Sequence, residues 1–265
     1  MKALSLLRNC LCVLLLAFLI APMLAIVPLS FNAEPYFTYP LRGLSLRWYT
    51  QFMASYEWRL AFGNSLAVAG ATVVLATALG TLAAVGLSIT NFRGKAALIA
   101  LLVSPMMIPH IITGLGMYFF YSWLGATKSL WGLILAHTTV AAPFVLLTVA
   151  ASLVHFRVNI LRAAASCGAR PSVALFRVVL PIIAPSILAG AVFAFVVSFD
   201  ELIIALLLSG AEQRTLPRQM WAGTQEEITP VITAVSTMLM GVSVVVVIAL
   251  QWLYARREKM EEHGT

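Results

Sequence analysis

Long apolar stretches separated by short polar segments make up almost the whole chain. A helix needs about 20 residues to cross a bilayer, and six of the stretches are long enough. The second and third exceed that length, which favours tilted helices. The pattern therefore predicts an all-α, polytopic membrane protein with six transmembrane helices, in a single domain over 1–265. The predicted spans are 10–30, 60–89, 96–124, 130–154, 182–208 and 231–254.

Lys2 and Arg8 precede the first apolar stretch, an arrangement shared by cleaved signal peptides and retained membrane helices. This stretch runs for about 21 residues, whereas a signal-peptide core has about 7–15, and no small-residue cleavage site ends it. We therefore expect a retained first helix, with a cleaved signal peptide as the alternative.

Composition excludes an ordinary soluble protein. Hydrophobic residues make up 61% of the 265 residues and charged residues 10%, against about 45–50% and about 25% in soluble domains. Lipid must therefore cover much of the apolar surface. Cys10, Cys12 and Cys167 fit neither a zinc pattern nor an even set of disulfides, so no metal site is expected.

The net charge of +7 is explained by membrane topology. Lys and Arg residues are spread through short loops, with no basic stripe that would indicate a nucleic-acid partner. With the N-terminus inside, eleven of the seventeen Lys and Arg residues lie on the cytoplasmic side, as the positive-inside rule requires. Both termini are therefore expected in the cytoplasm.

Small residues and prolines predict how the helices pack and bend. Lipid supplies no hydrophobic drive between helices, so close contact depends on small side chains. A proline removes a backbone hydrogen bond, which predicts bends at Pro105 and Pro109 in the third span and at Pro143 in the fourth. The stripes of small residues expected at helix contacts are Thr72, Ala76, Gly80 and Ala84, and Gly190, Ala194, Ser198, Ala205 and Ser209.

The inner loop at 155–181 carries the most specific pattern. Its Leu, Arg and Ala residues favour a helix, which Gly168 can end in a left-handed cap. Pro171 suits the first turn of a second helix, and Pro181 is expected to separate that helix from the next span. The loop therefore predicts a helix, a sharp turn and another helix at the membrane surface.

This loop resembles the EAA loop of binding-protein-dependent ABC importer permeases, whose pattern is Glu-Ala-Ala, three residues, Gly and a later Leu-Pro. Arg162 stands where the family has Glu, which reverses a charge. The resemblance implies a type I ABC importer permease fold, in which this loop is the coupling helix that docks in a groove of an ATPase. The matching residues are Ala163, Ala164, Gly168, Leu180 and Pro181.

Further stretches resemble the second permease subunit of spermidine/putrescine importers. The resemblance implies a bacterial inner-membrane subunit that works with a second permease, two ATP-binding subunits and a periplasmic solute-binding protein. It also implies that ATP and Mg²⁺ bind to the partner ATPases, and this chain has no Gly-x-x-x-x-Gly-Lys-Ser/Thr loop or cofactor site of its own. The similar stretches are 46–49, 92–95, 104–105, 143–145, 198–201 and 216–217.

Asp200 and Glu201 are the only acidic residues inside a predicted span. An ionised side chain at the membrane centre costs at least about 2.5–3.5 kcal/mol, so such a charge needs a cavity or a partner. Adjacent helical residues point about 100° apart, so we expect Glu201 to face the transport pathway and Asp200 to bond to a neighbouring helix or the second permease. A structural ion pair is the alternative. Trp48, in the aromatic outer loop, is a third candidate for the substrate pathway.

Permeases for polyamines, which this chain resembles, also carry acidic residues at this place. The resemblance makes a polyamine the first substrate candidate. Those permeases also carry an acid directly after the proline of the third span, where this chain has Met106. Opines, 4-aminobutyrate and other amines therefore stay open.

Two other classes of membrane protein fit less well. An intramembrane enzyme would need a nucleophile and a base, yet the chain has neither Gly-x-Ser-x-Gly nor His-Glu-x-x-His, and its four histidines are scattered. A passive channel or an ion-coupled carrier would not need a loop like the one around Gly168. The sequence thus predicts a permease rather than an enzyme.

Overall fold

The computed structural model describes residues 2–154, 158–226 and 229–262. Within these ranges the chain is helical, with one isolated backbone bridge between Asn32 and Leu44. The chain divides into two compact units, Met1–Arg59 with Gln219–Trp252 and Leu60–Arg218 with Leu253–Thr265. The predicted all-α architecture is confirmed, and the single permease domain over 1–265 stays a prediction.

Helices α1 to α12 follow one another in chain order, mostly with short connections. A π-helical turn, Leu175–Val179, joins α8 to α9 without a break. The helices are α1 (Lys2–Ser30), α2 (Arg47–Ala54), α3 (Tyr56–Ile89), α4 (Lys95–Met107), α5 (His110–Trp123), α6 (Leu130–Leu153), α7 (Val158–Ser166), α8 (Pro171–Ala174), α9 (Leu180–Phe199), α10 (Ile203–Leu208), α11 (Leu216–Glu226) and α12 (Val231–Glu262).

Four helical segments are long and apolar enough to cross a membrane. Helices α4 and α5 together form a fifth candidate, bent by 104° at a short break. In α12 the apolar segment among the described side chains, Val231–Val245, is shorter than a full span. The described residues therefore give four or five spans, where the apolar stretches predict six. The four segments are Arg8–Ser30, Tyr56–Ile89, Leu130–Leu153 and Pro171–Phe199.

The predicted third span is broken at Pro109 and not at Pro105. Pro109 restricts the preceding residue, Ile108, to extended backbone (φ −82°, ψ 134°), so α4 cannot continue. Pro105 lies inside α4 and has no N–H to bond the carbonyl of Leu101. That carbonyl accepts a 2.8 Å hydrogen bond from the Ser104 hydroxyl instead. A neighbouring side chain therefore lets the helix pass through one proline but not the other.

The predicted fifth span is interrupted at the two acidic residues. Helix α9 ends at Phe199 and α10 begins at Ile203, so Asp200 and Glu201 lie outside both helices. The Glu201 carboxylate accepts a 3.0 Å hydrogen bond from the N–H of Ile204, and such a local bond competes with continuation of the helix. The continuous helix expected over 182–208 is therefore wrong, and so is the helical spacing used to orient the two acids.

Glycines allow α3, α6 and α9 to approach closely. A Cβ at Gly80 would lie 2.7 Å from the Cβ of Val145, and a Cβ at Gly190 would lie 3.1 Å from the Cα of Val145. Every residue of the two predicted small-residue stripes is buried, which confirms the stripes as packing surfaces. Helix α6 runs unbroken through Pro143, so the bend expected there does not interrupt it.

In the first unit, the aromatic loop after α1 folds against α2. The Trp48 side chain is 3% exposed, and its indole N–H donates a 2.7 Å hydrogen bond to the carbonyl of Asn32. The Arg47 guanidinium lies 4.0 Å from the centre of the Trp48 ring, a cation–π contact. The Tyr49 and Ser30 hydroxyls are 2.8 Å apart. These contacts anchor α2 to the segment that follows α1.

Candidate functional site

A cavity of about 420 Å³ lies where α5 begins and where α9 ends. We call it the break cavity, because it adjoins the breaks in the third and fifth spans. Its walls are mostly apolar, but two carboxylates and one imidazole are among the lining groups. The volume is within the range of about 300–1,000 Å³ that small-ligand pockets have. The lining residues are His110, Phe144, Val196, Val197, Asp200, Glu201, Leu202 and Ile203.

Glu201 is 5% exposed, and both of its carboxylate oxygens have partners. Oε1 accepts the N–H of Ile204, one of the backbone donors that the start of a helix leaves without an internal partner. Oε2 lies 3.0 Å from Nδ1 of His110. The carboxylate is therefore fixed by the backbone of α10 on one side and by a ring from α5 on the other.

His110 begins α5 directly after the break at Pro109. Its side chain is 43% exposed, against 4% for the side chain of Glu201. One turn further on, Gly114 lets α5 approach α10, because a Cβ there would lie 2.8 Å from Cδ1 of Leu207. The helix break and this close approach together place the imidazole against the buried carboxylate.

Asp200 is exposed, and its carboxylate has no hydrogen bond or ion pair to any described residue. The sequence predicts that Glu201 faces the pathway and that Asp200 bonds to a neighbouring helix. Both carboxylates line the break cavity, but it is Glu201 that bonds to neighbouring helices, α5 and α10, while the Asp200 carboxylate is accessible. Which of the two faces the transport pathway stays a prediction. The chain leaves the helix at Phe199, so the angular spacing of a helix does not apply to these two residues.

His137 supports the end of α9 from α6, although no motif in the sequence singles it out for this position. Its side chain is fully buried, with Nδ1 2.9 Å from the Ser198 hydroxyl and 3.1 Å from the Ser198 carbonyl oxygen. Ser198 lies in the last turn of α9, just before the break. The imidazole therefore helps to fix the position from which Asp200 projects.

Two polar residues of α3 hold the loop at 209–218. The Asn64 side-chain amide donates to the carbonyls of Glu212 (2.7 Å) and Arg214 (3.0 Å), and the Ser65 hydroxyl accepts the N–H of Leu216 at 2.7 Å. Sequence reasoning missed both residues. Their one signal is that they are polar side chains inside an otherwise apolar span.

Arg218 closes the other end of this loop. Its guanidinium donates to the carbonyls of Ser209 (2.6 Å) and Gly210 (2.8 Å) and to the Ser209 hydroxyl, at the end of α10. Burial lowers the pKa of Arg218, and the nearby charge of Arg214 lowers it further. These bonds fix the far end of the short helix whose first turn Glu201 caps.

The loop at 155–181, which we call the Gly168 loop, has the predicted helix, turn and helix; residues 155–157 lie outside the described ranges. The N–H of Gly168 bonds to the carbonyl of Ala165 (2.9 Å), and the N–H of Ala169 bonds to the carbonyl of Ala164 (3.1 Å). This is a Schellman motif, and the φ of +81° at Gly168 is the left-handed conformation that the motif requires. Pro171 is the first residue of α8, as predicted.

Pro181 does not separate the second helix from the next span, contrary to the sequence-based expectation. Helix α8 passes through the π turn into α9, with the N–H of Leu180 bonded to the carbonyl of Leu175. In a regular α-helix the Pro181 ring would clash with the carbonyl of Arg177, four residues earlier. The wider π turn contains that carbonyl and leaves room for the ring, so the helix continues.

The predicted coupling residues lie along this loop. Ala163, Gly168 and Pro181 are exposed, while Ala164 and Leu180 are half-buried. Arg162 belongs to α7, but its side chain lies outside those described. The coupling role of these residues stays a prediction, as does the pathway role of Trp48.

A groove of about 430 Å³ lies between the Gly168 loop and the end of α3. Ala165 and Ala169 line it from the loop, and Val85 and Ile89 line it from α3. Ala165 faces this groove, whereas Ala163 is exposed and is not among the lining residues.

The chain matches the family model described as "Binding-protein-dependent transport system inner membrane component" over residues 76–259. This range contains both the break cavity and the Gly168 loop. The match confirms the resemblance seen in the loop sequence.

Two relatives are similar over almost the full length. The spermidine/putrescine transport system permease protein PotC of Shigella flexneri is 31% identical over 248 residues, which cover 94% of this chain and 93% of the relative. The putrescine transport system permease protein PotI of Escherichia coli strain K12 is 33% identical over 249 residues, with 91% and 88% covered. Both relatives are permease subunits of transport systems.

A solved structure shares the fold. One chain of the bacterial alginate ABC transporter, crystallised in complex with its alginate pentasaccharide-bound periplasmic protein, has a TM-score of 0.71 and 16% identity. The similarity covers 95% of this chain and 93% of that one. The family match and the two relatives show that the chain belongs to the binding-protein-dependent inner-membrane transport family and is a permease subunit of an ABC importer, and the solved structure shows the same fold.

Proposed function

We propose that this permease forms part of the membrane pathway of an importer for a polyamine or a related small amine. Its partners are a second permease, two subunits that bind ATP and Mg²⁺, and a periplasmic solute-binding protein. The chain itself has no ATPase site. The observation that carries the substrate class is the pair of carboxylates, Asp200 and Glu201, at the break cavity.

The break cavity has the chemistry to hold an alkyl ammonium. Phe144, Val196 and Ile203 give it apolar walls, which suit methylene groups. The exposed carboxylate of Asp200 suits an ammonium, because charge-assisted hydrogen bonds are strong where water is partly excluded. A polyamine combines both features, and the names of the two relatives support the same class.

Six membrane spans follow if α4 and α5 act as one broken span and α12 as the last. Helix α12 has 32 residues, and about 20 are enough to cross a bilayer. With the N-terminus in the cytoplasm of a bacterial cell, the Gly168 loop and the C-terminus lie on the same side. Lys and Arg then favour the cytoplasm by eleven to six.

In this proposal, the partner ATPase drives transport by moving the Gly168 loop. The Schellman turn links α7 to α8, and α8 runs through the π turn and α9 without a break as far as Phe199. A movement of α7 by the partner ATPase is therefore carried along one continuous helix to the edge of the break cavity. Small exposed residues such as Ala163 let α7 sit in a groove of that partner. Arg162, in place of the family Glu, gives the interface a positive charge.

Opines and 4-aminobutyrate are the second substrate candidates. They carry a carboxylate as well as an amine, and Asp200 repels that carboxylate, so the cavity favours a polyamine. The alternative from a different class of protein is a passive or ion-coupled carrier. Such a carrier needs no coupling loop, so the Gly168 loop argues against it.

Uptake of labelled putrescine and spermidine by the complete transporter in proteoliposomes tests the proposal. We expect ATP-dependent uptake that each polyamine inhibits more strongly than 4-aminobutyrate or opines do. Gly168→Trp should abolish uptake, because tryptophan strains the left-handed turn and adds bulk where the ATPase docks. Gly94→Trp is the matched control, since Gly94 also has a positive φ (+93°) and free space but lies before α4.

The alternatives predict other results. Uptake of an opine without polyamine uptake would overturn the substrate and keep the importer. Uptake that does not depend on ATP would overturn the coupling mechanism.

A further inference from the structure

The contact between His110 and Glu201 joins the two helix breaks. His110 follows the break of the third span, and Glu201 lies in the break of the fifth, with His110 Nδ1 3.0 Å from Glu201 Oε2. Both residues line the break cavity. A carboxylate that is placed to bind a cationic solute is therefore already bonded to a ring of the protein.

The two partners are held very differently. Glu201 is buried, and its Oε1 is fixed by the N–H of Ile204, so the carboxylate keeps its place without His110. His110 is 43% exposed, and Glu201 is the one hydrogen-bond partner of its ring among the described residues. The ring can therefore leave without disturbing the carboxylate.

We infer that His110 occupies Oε2 of Glu201 until substrate binds, and that a substrate ammonium takes its place. This rests on the proposed function, because it requires an amine substrate. An ammonium brings a full charge and up to three N–H donors, whereas the ring offers this oxygen a single N–H. An uncharged solute of the same length lacks that advantage, so His110 selects for charged amines.

Displacement also changes the third span. When the ring leaves, the start of α5 loses its polar bond to the fifth span, while the contact of Gly114 with Leu207 still holds α5 one turn further on. The released part is the turn next to the 104° break between α4 and α5. Binding of the amine and movement at this break thus become one event.

Two substitutions with opposite predicted effects test the inference in the assembled transporter. His110→Leu keeps much of the bulk of the ring but has no N–H to offer Glu201, so nothing competes with the ammonium, and the KM for putrescine should fall about fivefold, the size of one hydrogen bond. His110→Lys leaves a permanent ammonium beside Glu201 and should raise the KM. Ile111→Val is the control, because Ile111 is exposed and does not line the cavity.

A measurement without substitutions complements these variants. The ring ¹⁵N signal of His110 in the wild-type transporter should shift on addition of putrescine. It should not shift with 1,4-butanediol, which has the same carbon chain without charge. No shift with putrescine, or equal shifts with both, would overturn the inference.

Wild-type uptake separates this inference from the proposed function. If no amine is taken up with ATP, the proposed function fails and the inference fails with it. If putrescine is taken up but His110→Leu leaves its KM unchanged or raises it, the inference alone fails and His110 is a structural partner.

Discussion

Two adjacent carboxylates in this permease have opposite environments. Glu201 is buried and bonds to Ile204 and His110, whereas Asp200 is exposed and has no partner among the described residues. Removal of a carboxylate that bonds to no described residue breaks no contact of the described fold. Asp200 is therefore the residue at which an effect on substrate can be separated from an effect on stability.

Asp200→Asn should raise the KM for putrescine about tenfold, equivalent to about 1.4 kcal/mol of lost interaction with an ammonium. The amount of assembled transporter should stay at the wild-type level, as size-exclusion chromatography would show. Glu212→Gln is the matched control, because it removes an exposed charge from the loop at 209–218. An unchanged KM in Asp200→Asn would remove this residue from the pathway.

The sequence identifies the two acids, because a charge inside an apolar span is costly. It does not show which of them is buried. That depends on where α9 ends, and on the close approach of α5 and α10 at Gly114, between residues far apart in the chain. The contact of His110 with Glu201 depends on the same packing, so no local pattern could reveal it.

At the scale of the elements, whether a helix continues through a proline depends on the residues beside that proline. The break at Pro109 and the start of α8 at Pro171 follow local rules and could be predicted. Helix α4 passes through Pro105 because the Ser104 hydroxyl bonds to the carbonyl left free. Helix α9 passes through Pro181 because a π turn precedes it. Such compensation by a single hydroxyl or a wider turn cannot be read from hydropathy.

Pro109→Ala should reduce putrescine uptake at least about tenfold, a loss equivalent to about 1.4 kcal/mol. Alanine supplies the N–H that a helix needs, so α4 could continue towards α5 and carry His110 away from Glu201. Pro105→Ala is the matched control and should transport like the wild type, since α4 is already continuous there. Equal uptake by both variants would show that the break is not required.

Gly80→Ala should destabilise the protein by about 1–3 kcal/mol, as overpacking does, because its Cβ would lie 2.7 Å from Val145 Cβ. Gly70→Ala in the same helix has free space around its Cβ and should be neutral or slightly stabilising. Thermal unfolding in detergent compares the two variants. A melting temperature for Gly80→Ala at or above that of Gly70→Ala would contradict the close packing of α3 on α6.

For the whole molecule, counting apolar stretches predicts the class of protein well. It does not show the 104° bend between α4 and α5 or the break between α9 and α10, because an apolar stretch looks the same whether its helix is straight or interrupted. The second unit brings these interruptions together at one cavity. It also connects that cavity to the Gly168 loop through α9, which is the route that the proposed coupling to an ATPase requires.

The central claim is that an amine binds in the break cavity, and protection of an introduced cysteine tests it most directly. Cys10, Cys12 and Cys167 are first replaced by serine. Val196→Cys places a thiol on the cavity lining, and Phe193→Cys places a comparably exposed thiol on the same helix but away from that lining. Saturating putrescine should slow labelling at position 196 several-fold and leave position 193 unaffected. Equal labelling of Val196→Cys with and without putrescine would contradict the account.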